Sequence, residues 1–467
     1  MTLAITRPAT ITTGPVTTGP VTIGPVTLPA ARQEIPAVAG AELTVPLVTG
    51  EQIGYANLDH AASAPCLATV QSAVDELLPW YASVHRGAGF ASQVSTRVYE
   101  QARGTLRRFF GAHDTDAVIF TRNTTDSLNL LSRAVPRGTS VVLFDTEHHA
   151  ALLPWRGPHV RRLVTPETPL DAVRAVDAAL RDCPVGPRLV VVGGASNVTG
   201  EVLPVAELAA VAHRHGARIA LDAAQLAPHR PIDIGELGVD YLVASGHKLY
   251  APFGAGVLLG RRDWLEAAQP YLIGGGATSQ VTDHGPHLGI SWSGGPDRHE
   301  AGSPNVVGVH ALAVAAQTLG RNWTHIRAHE RTLLASLRSG LSAVPGLREL
   351  SLFGPDADRV GVVSFTIPGH DAGLLAAALS AEYGIGVRDG AFCAHIGTRR
   401  LLGRVEATEA RAVRASIGLG TTDEHVRRFT NALYSLVTRG PRWTYGEVDG
   451  RIAPTPDPRP LPAFLAG

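Results

Sequence analysis

Cysteine is scarce in this chain of 467 residues: Cys66, Cys183 and Cys393 are its only three. Three thiols cannot build a disulfide framework, and a reducing, cytoplasmic compartment suits them. Charge is sparse as well. Lys and Arg total 41 against 41 Asp and Glu, a formal net charge of zero. That balance gives no electrostatic case for a nucleic-acid or anionic-membrane partner. No apolar run approaches the length of a membrane span. The opening segment lacks the compact apolar core and small-residue cleavage site of a signal peptide. No G-x-G-x-x-G follows the first strand of the alternating region, which argues against a dinucleotide fold.

Hydrophobic residues make up 45% of the chain, enough for a sizeable core and for one large and one smaller domain. Residues 1–45 are rich in Thr, Gly, Pro and Val, with Gly-Pro-Val-Thr recurring from Gly14, Gly19 and Gly24. Pro and Gly at that density predict a disordered or extended tail. From about 115 to 260, apolar strands alternate with helices, which predicts a mostly parallel sheet covered by helices. Helices are expected at Ala68–Tyr81 and Glu100–Phe110. A long helical region, Val306 to Leu341, leads towards a strand at Val360–Thr366 and a helix at Asp371–Glu382. The domains expected are 65–310 (large) and 46–64 with 311–440 (small). The Pro-rich end, 441–467, is expected to be an unstructured tail.

Chemistry concentrates at two strand ends. Tyr241–Ala244 reads as a buried strand that runs through Ser245 and Gly246 into His247 and Lys248. A lysine at such a mouth is costly unless its ammonium is used, and one use is a Schiff base with a carbonyl cofactor. Arg218–Asp222 is another apolar strand, ending in a carboxylate. Ligands of open α/β sheets sit at the carboxyl ends of strands, so Asp222 and Lys248 can meet at one rim. Pyridoxal phosphate needs that pair: a lysine for its aldehyde and a carboxylate for its ring nitrogen. Thr124 and Thr125 open a helix after the strand at Val118–Thr121. Hydroxyls there suit a phosphate and also act as a plain cap. His148 and His149 are adjacent, not spaced as metal ligands on one helix face, so no metal is expected.

Asp222-Ala-Ala-Gln225 and Ser245-Gly-His-Lys248 resemble the class V aminotransferase group of fold-type I pyridoxal-phosphate enzymes. The similarity is closest to the cysteine desulfurase and selenocysteine lyase branch typified by the SufS proteins, over roughly residues 50–435. The resemblance implies an α/β fold: a large domain on a mostly parallel seven-stranded sheet, plus a smaller α+β domain. It implies pyridoxal 5'-phosphate on Lys248, with Asp222 at the ring nitrogen and His148 stacked on the ring. Asn197 and Gln225 would contact the phenolic oxygen; Thr124, Thr125, Ser245 and His247 the phosphate. Thr278 would reach the phosphate of the opposite subunit of a homodimer, and the Ser83–Gly87 loop with Arg86 would line the site across the interface. Arg414 would grip the substrate carboxylate, with Arg388, Asn197 and His60 also facing the amino-acid substrate. Arg388-x-Gly390-x-x-Cys393-Ala394 matches members with desulfurase activity, in which Cys393 would take the sulfur as a persulfide and pass it to an acceptor protein.

Two departures stand out. Asn123–Ser127 lacks the glycines of the family's Gly-Thr-Thr-Glu-Gly phosphate loop. Ile396–Ala412 is basic and longer than its counterpart. Three readings compete with desulfuration: an aminotransferase, an epimerase or C–S lyase in which Cys393 only lines the loop, and a scaffold with a dead site. Cys393 could equally be a small buried hydrophobe.

Overall fold

The computed structural model describes residues 35–85 and 87–465; the Gly-Pro-Val-Thr repeats and Arg86 lie outside the described residues. Seven strands form the central sheet: β1 (Ala117–Thr121), β2 (Ser140–Phe144), β3 (Val160–Leu163), β4 (Arg188–Gly193), β5 (Arg218–Asp222), β6 (Tyr241–Ser245) and β7 (Gly256–Gly260). Their order is β1-β7-β6-β5-β4-β2-β3. β7 runs antiparallel to both neighbours, and the pairs from β6 to β3 are parallel. The strands read as unbroken apolar runs because both faces are covered. Val190, Val192, Ile219, Leu221 and Leu242 enter the core on one face. Leu189, Val191, Ala220, Tyr241 and Val243 enter the core on the other.

A four-stranded antiparallel sheet follows: β8 (Arg348–Glu349), β9 (Val362–Thr366), β10 (Arg388–Gly390) and β11 (Ala412–Ser416), in the order β8-β9-β11-β10. Helix Val306–Ser342 links the two sheets. Val309, Leu312 and Leu319 at its start belong to the first core. Leu333, Leu337 and Leu341 at its end belong to a separate core with Val363, Phe365 and Phe429.

Several boundaries differ from expectation. Helix Ala68–Leu77 gives way to a 3-10 turn at Leu78–Trp80, because Pro79 cannot donate in a helix interior. The next helix starts at Phe90 rather than Glu100; Ser92 and Ser95 satisfy their hydroxyls on the carbonyls of Ser83 and Trp80. The segment before residue 46 is ordered from Ile35. Val38 is buried and bridges Leu67, and Thr44–Pro46 pairs with Gln52–Gly54.

The C-terminal segment is a correction as well. Tyr445–Val448 and Arg451–Pro454 form a hairpin, turned at Asp449 (φ 50°) and Gly450 (φ 74°). Asp-Gly with two positive φ angles is a preferred two-residue hairpin turn, and it outweighs the prolines, which fall before the first strand (Pro441) or at and after the second strand's end. Glu382 anchors the hairpin by accepting from Arg442 N, Trp443 N and the Tyr445 hydroxyl.

Candidate active site

One edge of the central sheet carries the loops after β1, β2, β4, β5 and β6, and they enclose a cavity of about 240 Å3. Thr124, Thr125, Glu147, His148, Asn197, Asp222, Gln225, Ser245, His247, Lys248, Arg388, Cys393 and Arg414 all line it. Twelve of the fourteen site positions singled out by sequence thus converge on one space, and Glu147, the thirteenth wall residue named, was not anticipated.

Lys248 is the only lysine in the chain. Its Nζ donates to Gln225 Oε1 at 3.3 Å. Burial, then the Arg414 guanidinium, push its pKa down to about 8, against the pull of Asp222 and Cys393. It therefore gives up its proton more readily than an exposed lysine. Asp222 ends β5 and accepts from Ala224 N at 3.0 Å. Burial raises its pKa, while that bond and Lys248 oppose the rise. Glu147 accepts from Gly193 N at 2.9 Å, and Gly193 is the register partner of Asp222. Burial, then the charge of Asp222, raise the Glu147 pKa to about 8. Its proton thus lets two carboxyl groups share a small apolar-walled space.

His148 caps a short helix, its Nδ1 accepting from Ala150 N at 3.0 Å. The neutral ring therefore carries its proton on Nε2. Burial and then Lys248 hold its pKa near 4. Burial and Lys248 likewise lower that of His247.

One end of the cavity is a cradle suited to an anion. Asn123 caps helix Thr124–Ala134 by accepting from Asp126 N at 3.0 Å. Ser245 Oγ accepts from Thr124 N and donates to Thr124 Oγ1, both at 2.8 Å. Hydroxyls and the N-terminus of an eleven-residue helix favour an anion. The glycine this approach needs lies on the neighbouring strand. A Cβ on Gly256 would stand 2.6 Å from Asn123 Cα. The donor set fits pyridoxal phosphate: anion cradle, buried carboxylate, lysine and a ring-sized cavity between them.

Arg414, on β11, is buried. It donates to Asn197 O at 2.9 Å and to Asp59 Oδ1 at 3.2 Å. Its Nε has no partner among the described residues. Arg388 donates to Asp59 Oδ2 at 3.4 Å. Phe392 stacks under the Arg414 guanidinium, 5.0 Å from the ring centre, and its carbonyl accepts from Asn197 Nδ2 at 2.7 Å. Phe392 and Cys393 are both left-handed, with φ of 52° and 54°. That conformation is strained for non-glycine residues. Cys393 is exposed on the cavity wall, so it is not a packed hydrophobe.

Two expected residues stand elsewhere. His60 does not line the cavity; Ala61 and Ala62 do. The His60 ring is buried against Tyr250, and a Cβ on Gly418 would lie 2.3 Å from its Nδ1. Burial drives its pKa down to about 3, so it is a neutral core histidine. Thr278 starts an exposed hairpin, Thr278–His284 with His287–Trp292, outside this cavity. Three contributors were missed: Asp59, Glu147 and Gly256. Glu147 beside His148 and the Gly254-Ala-Gly256 run before an apolar strand were legible signals.

Among the described residues no helix is long and apolar enough to cross a membrane. The family model for aminotransferase class-V matches residues 56–429. A cysteine desulfurase of Klebsiella pneumoniae is 36% identical over 404 residues, covering 83% of this chain and 94% of that protein. A probable cysteine desulfurase of Aeropyrum pernix is 35% identical, covering 82% of this chain and 95% of its own. The apo structure of a cysteine desulfurase from Thermococcus onnurineus matches with a TM-score of 0.73 at 31% identity, over 82% of this chain and 94% of that one. The cysteine desulfurase CsdA of Escherichia coli, in an S-sulfonic acid form, matches with a TM-score of 0.68 at 31% identity, over 82% and 96%.

Proposed function

The chain belongs to the class V aminotransferase family, and we propose that within it this protein is a cysteine desulfurase, converting L-cysteine to L-alanine and leaving the sulfur on Cys393. The observation that carries this reading is the exposed thiol of Cys393 on the wall of the cavity that holds Lys248 and Arg414.

The family depends on pyridoxal phosphate. Lys248 would hold its aldehyde, Asp222 its ring nitrogen, His148 its ring face, Asn197 and Gln225 its phenolic oxygen. Thr124, Thr125, Ser245 and His247 would hold its phosphate. When bound, the cofactor supplies an electron sink for the substrate's α-carbon. The remaining work falls to side chains. Arg414 and Arg388 bind the substrate carboxylate through planar, donor-only forks. Lys248, with its lowered pKa, takes the α-proton. Cys393 attacks the substrate sulfur as a thiolate. A sulfur–sulfur bond forms and the carbon–sulfur bond breaks. The electron pair stays with the carbon fragment, which gains a proton and leaves as alanine. An acceptor thiol then collects the sulfur. A cytoplasmic homodimer, with Thr278 serving the partner's site, completes the reading.

A product assay tests it. Cofactor-loaded protein is incubated with L-cysteine and a reductant, and alanine and sulfide are measured for wild type and Cys393→Ala. Equal alanine and sulfide, lost in the variant, is the expected result. No alanine from wild type would sink the proposal in favour of transamination or epimerisation. Product that survives in the variant would mean direct lyase chemistry with Cys393 a bystander.

A further inference from the structure

The turn that carries Cys393 is fastened to the rim of the central sheet by the basic stretch that follows it. Helix His395–Arg404 begins two residues after the thiol. Gly397, Arg400 and Arg404 fall at i, i+3 and i+7, on one face of that helix. All three meet the loops that leave β2 and β3. A Cβ on Gly397 would stand 3.0 Å from Thr146 Cα, so the helix lies directly against the residue before Glu147 and His148. Arg400 forms a 2.7 Å ion pair with Asp145 Oδ2. Arg404 donates to Leu352 O at 2.9 Å, to Pro166 O at 3.2 Å and to Thr165 O at 3.4 Å. The other oxygen of Asp145 accepts from Thr165 N at 3.0 Å and from the Thr165 hydroxyl at 2.7 Å.

An exposed ion pair contributes little, and Arg400 is itself half exposed. Asp145 makes the difference. Its side chain is 9% exposed, and Arg400 is the only cation paired with it among the described residues. Removing the guanidinium leaves a buried carboxylate oxygen uncompensated, which costs far more than a lost surface contact.

The thiol needs such a hold. Phe392 and Cys393 are both left-handed, and non-glycine residues stay so only where their surroundings over-determine them. Upstream, Asn197 Nδ2 donates to Phe392 O at 2.7 Å, and the Phe392 ring enters a small core with Val198, Leu352 and Leu401. His149 N donates to Cys393 O at 2.8 Å. Downstream, the arginine face of the helix is the anchor. We propose that Arg400 and Arg404 are positioning residues that clip the Cys393 turn to the loops after β2 and β3 and so keep the thiol on the cavity wall. The role rests on the reading of Cys393 as the sulfur nucleophile. Neither arginine lines the cavity, so removal of the α-proton by Lys248 does not depend on them.

Arg400→Gln, Arg404→Gln and Arg400→Lys test the clip, with Cys393→Ala as the reference. Hydrogen–deuterium exchange of the apoprotein reads it directly. Both Gln variants are expected to speed exchange across residues 391–404 by about tenfold or more, while β4 to β6 keep wild-type protection. Two activities of the cofactor-loaded protein read the consequence. Exchange of the α-proton of L-alanine in D2O needs Lys248 but no thiol, and is expected to stay within about twofold of wild type in every variant, Cys393→Ala included. Single-turnover formation of alanine from L-cysteine needs the thiol in place, and is expected to fall about tenfold or more in the Gln variants. Arg400→Lys keeps a cation at Asp145 and is expected to recover most of that rate. Unmoved exchange at 391–404 in both Gln variants would overturn the clip, as would wild-type alanine formation despite faster exchange. A loss shared equally by the two activities, or a Lys variant no better than Gln, would overturn the positioning role in favour of general destabilisation. A wild type that forms no alanine, or a Cys393→Ala protein that still does, would instead overturn the desulfurase reading on which the role rests.

Discussion

Asp59 holds Arg414 by a 3.2 Å ion pair while its other oxygen reaches Arg388 at 3.4 Å. One carboxylate from the segment after residue 57 thereby aims two guanidiniums at the cavity, one from each strand of the β10–β11 pair, where Arg388 and Arg414 are register partners. Two cations facing one space suit an anion, and Asp59 keeps them from repelling each other while it is absent.

Asp59→Asn removes the charge and keeps the shape. In the proposed function the two arginines bind the substrate carboxylate, so the expected effect is a KM for cysteine raised about tenfold with kcat changed less than about threefold. Steady-state kinetics check it. A kcat loss with unchanged KM would show that Asp59 serves the reacting atoms instead.

Gly256→Ala places a methyl group 2.6 Å from Asn123 Cα and 2.9 Å from Ala244 O. Both neighbours are backbone, so the cap of helix Thr124–Ala134 must move. Cofactor affinity should fall about tenfold or more, in line with the loss of one or two charge-assisted hydrogen bonds. Titrating the apoprotein with pyridoxal phosphate by absorbance measures it, with circular dichroism as the control for folding.

Glu147→Gln tests, through stability, whether Glu147 carries the proton of the carboxyl pair. The folded pKa of Glu147 is raised from 4.5 to about 8. The neutral form is therefore the one the fold prefers. Its contribution is fully present below the unfolded pKa and is lost as pH climbs through about 8. A glutamine is neutral throughout. The Tm of the apoprotein variant should thus fall less than that of the wild type between pH 5 and pH 8. Parallel curves for the two proteins would place the proton elsewhere.

Truncation after Gly440 removes the C-terminal hairpin and leaves three hydrogen bonds to Glu382 unmade. Bonds to a carboxylate contribute about 1.5–3 kcal/mol each when well formed, less where water replaces them. A drop of several degrees in Tm is expected, with cofactor absorbance at low temperature unchanged because the hairpin lies outside the cavity lining. An unaltered Tm would show that the hairpin is ornament on an independent fold.

Much of this protein is readable from local pattern. Apolar runs such as Arg188–Gly193 and Tyr241–Ser245 announce buried strands, and each ends in a polar or glycine signal where its loop begins. Hydroxyls at Thr124 and Thr125 mark a helix start. These features are short-range, set by backbone sterics and solvation within a few residues, and they carry the sheet, the cradle and the pairing of Asp222 with Lys248.

Errors arose where sequence-distant groups decide. His60 looked like a substrate contact beside Ala61, yet Tyr250 and Gly418 enclose its ring. The final segment looked unstructured, yet Glu382, some sixty residues upstream, fastens it. Asn123–Ser127 has no glycine of its own, and it is Gly256 on the adjacent strand that lets the Asn123 backbone come close.

The sequence by itself determined the strand–helix alternation, the strand-end chemistry and the identity of the cavity's lysine, carboxylate and arginines, because those follow from local preference and burial pattern. Only the tertiary structure decided which charges face one another. Asp59 between two arginines, Glu147 beside Asp222 and Arg400 on Asp145 are contacts across tens to hundreds of positions. Their effect on charge depends on distance and desolvation, which no local pattern encodes.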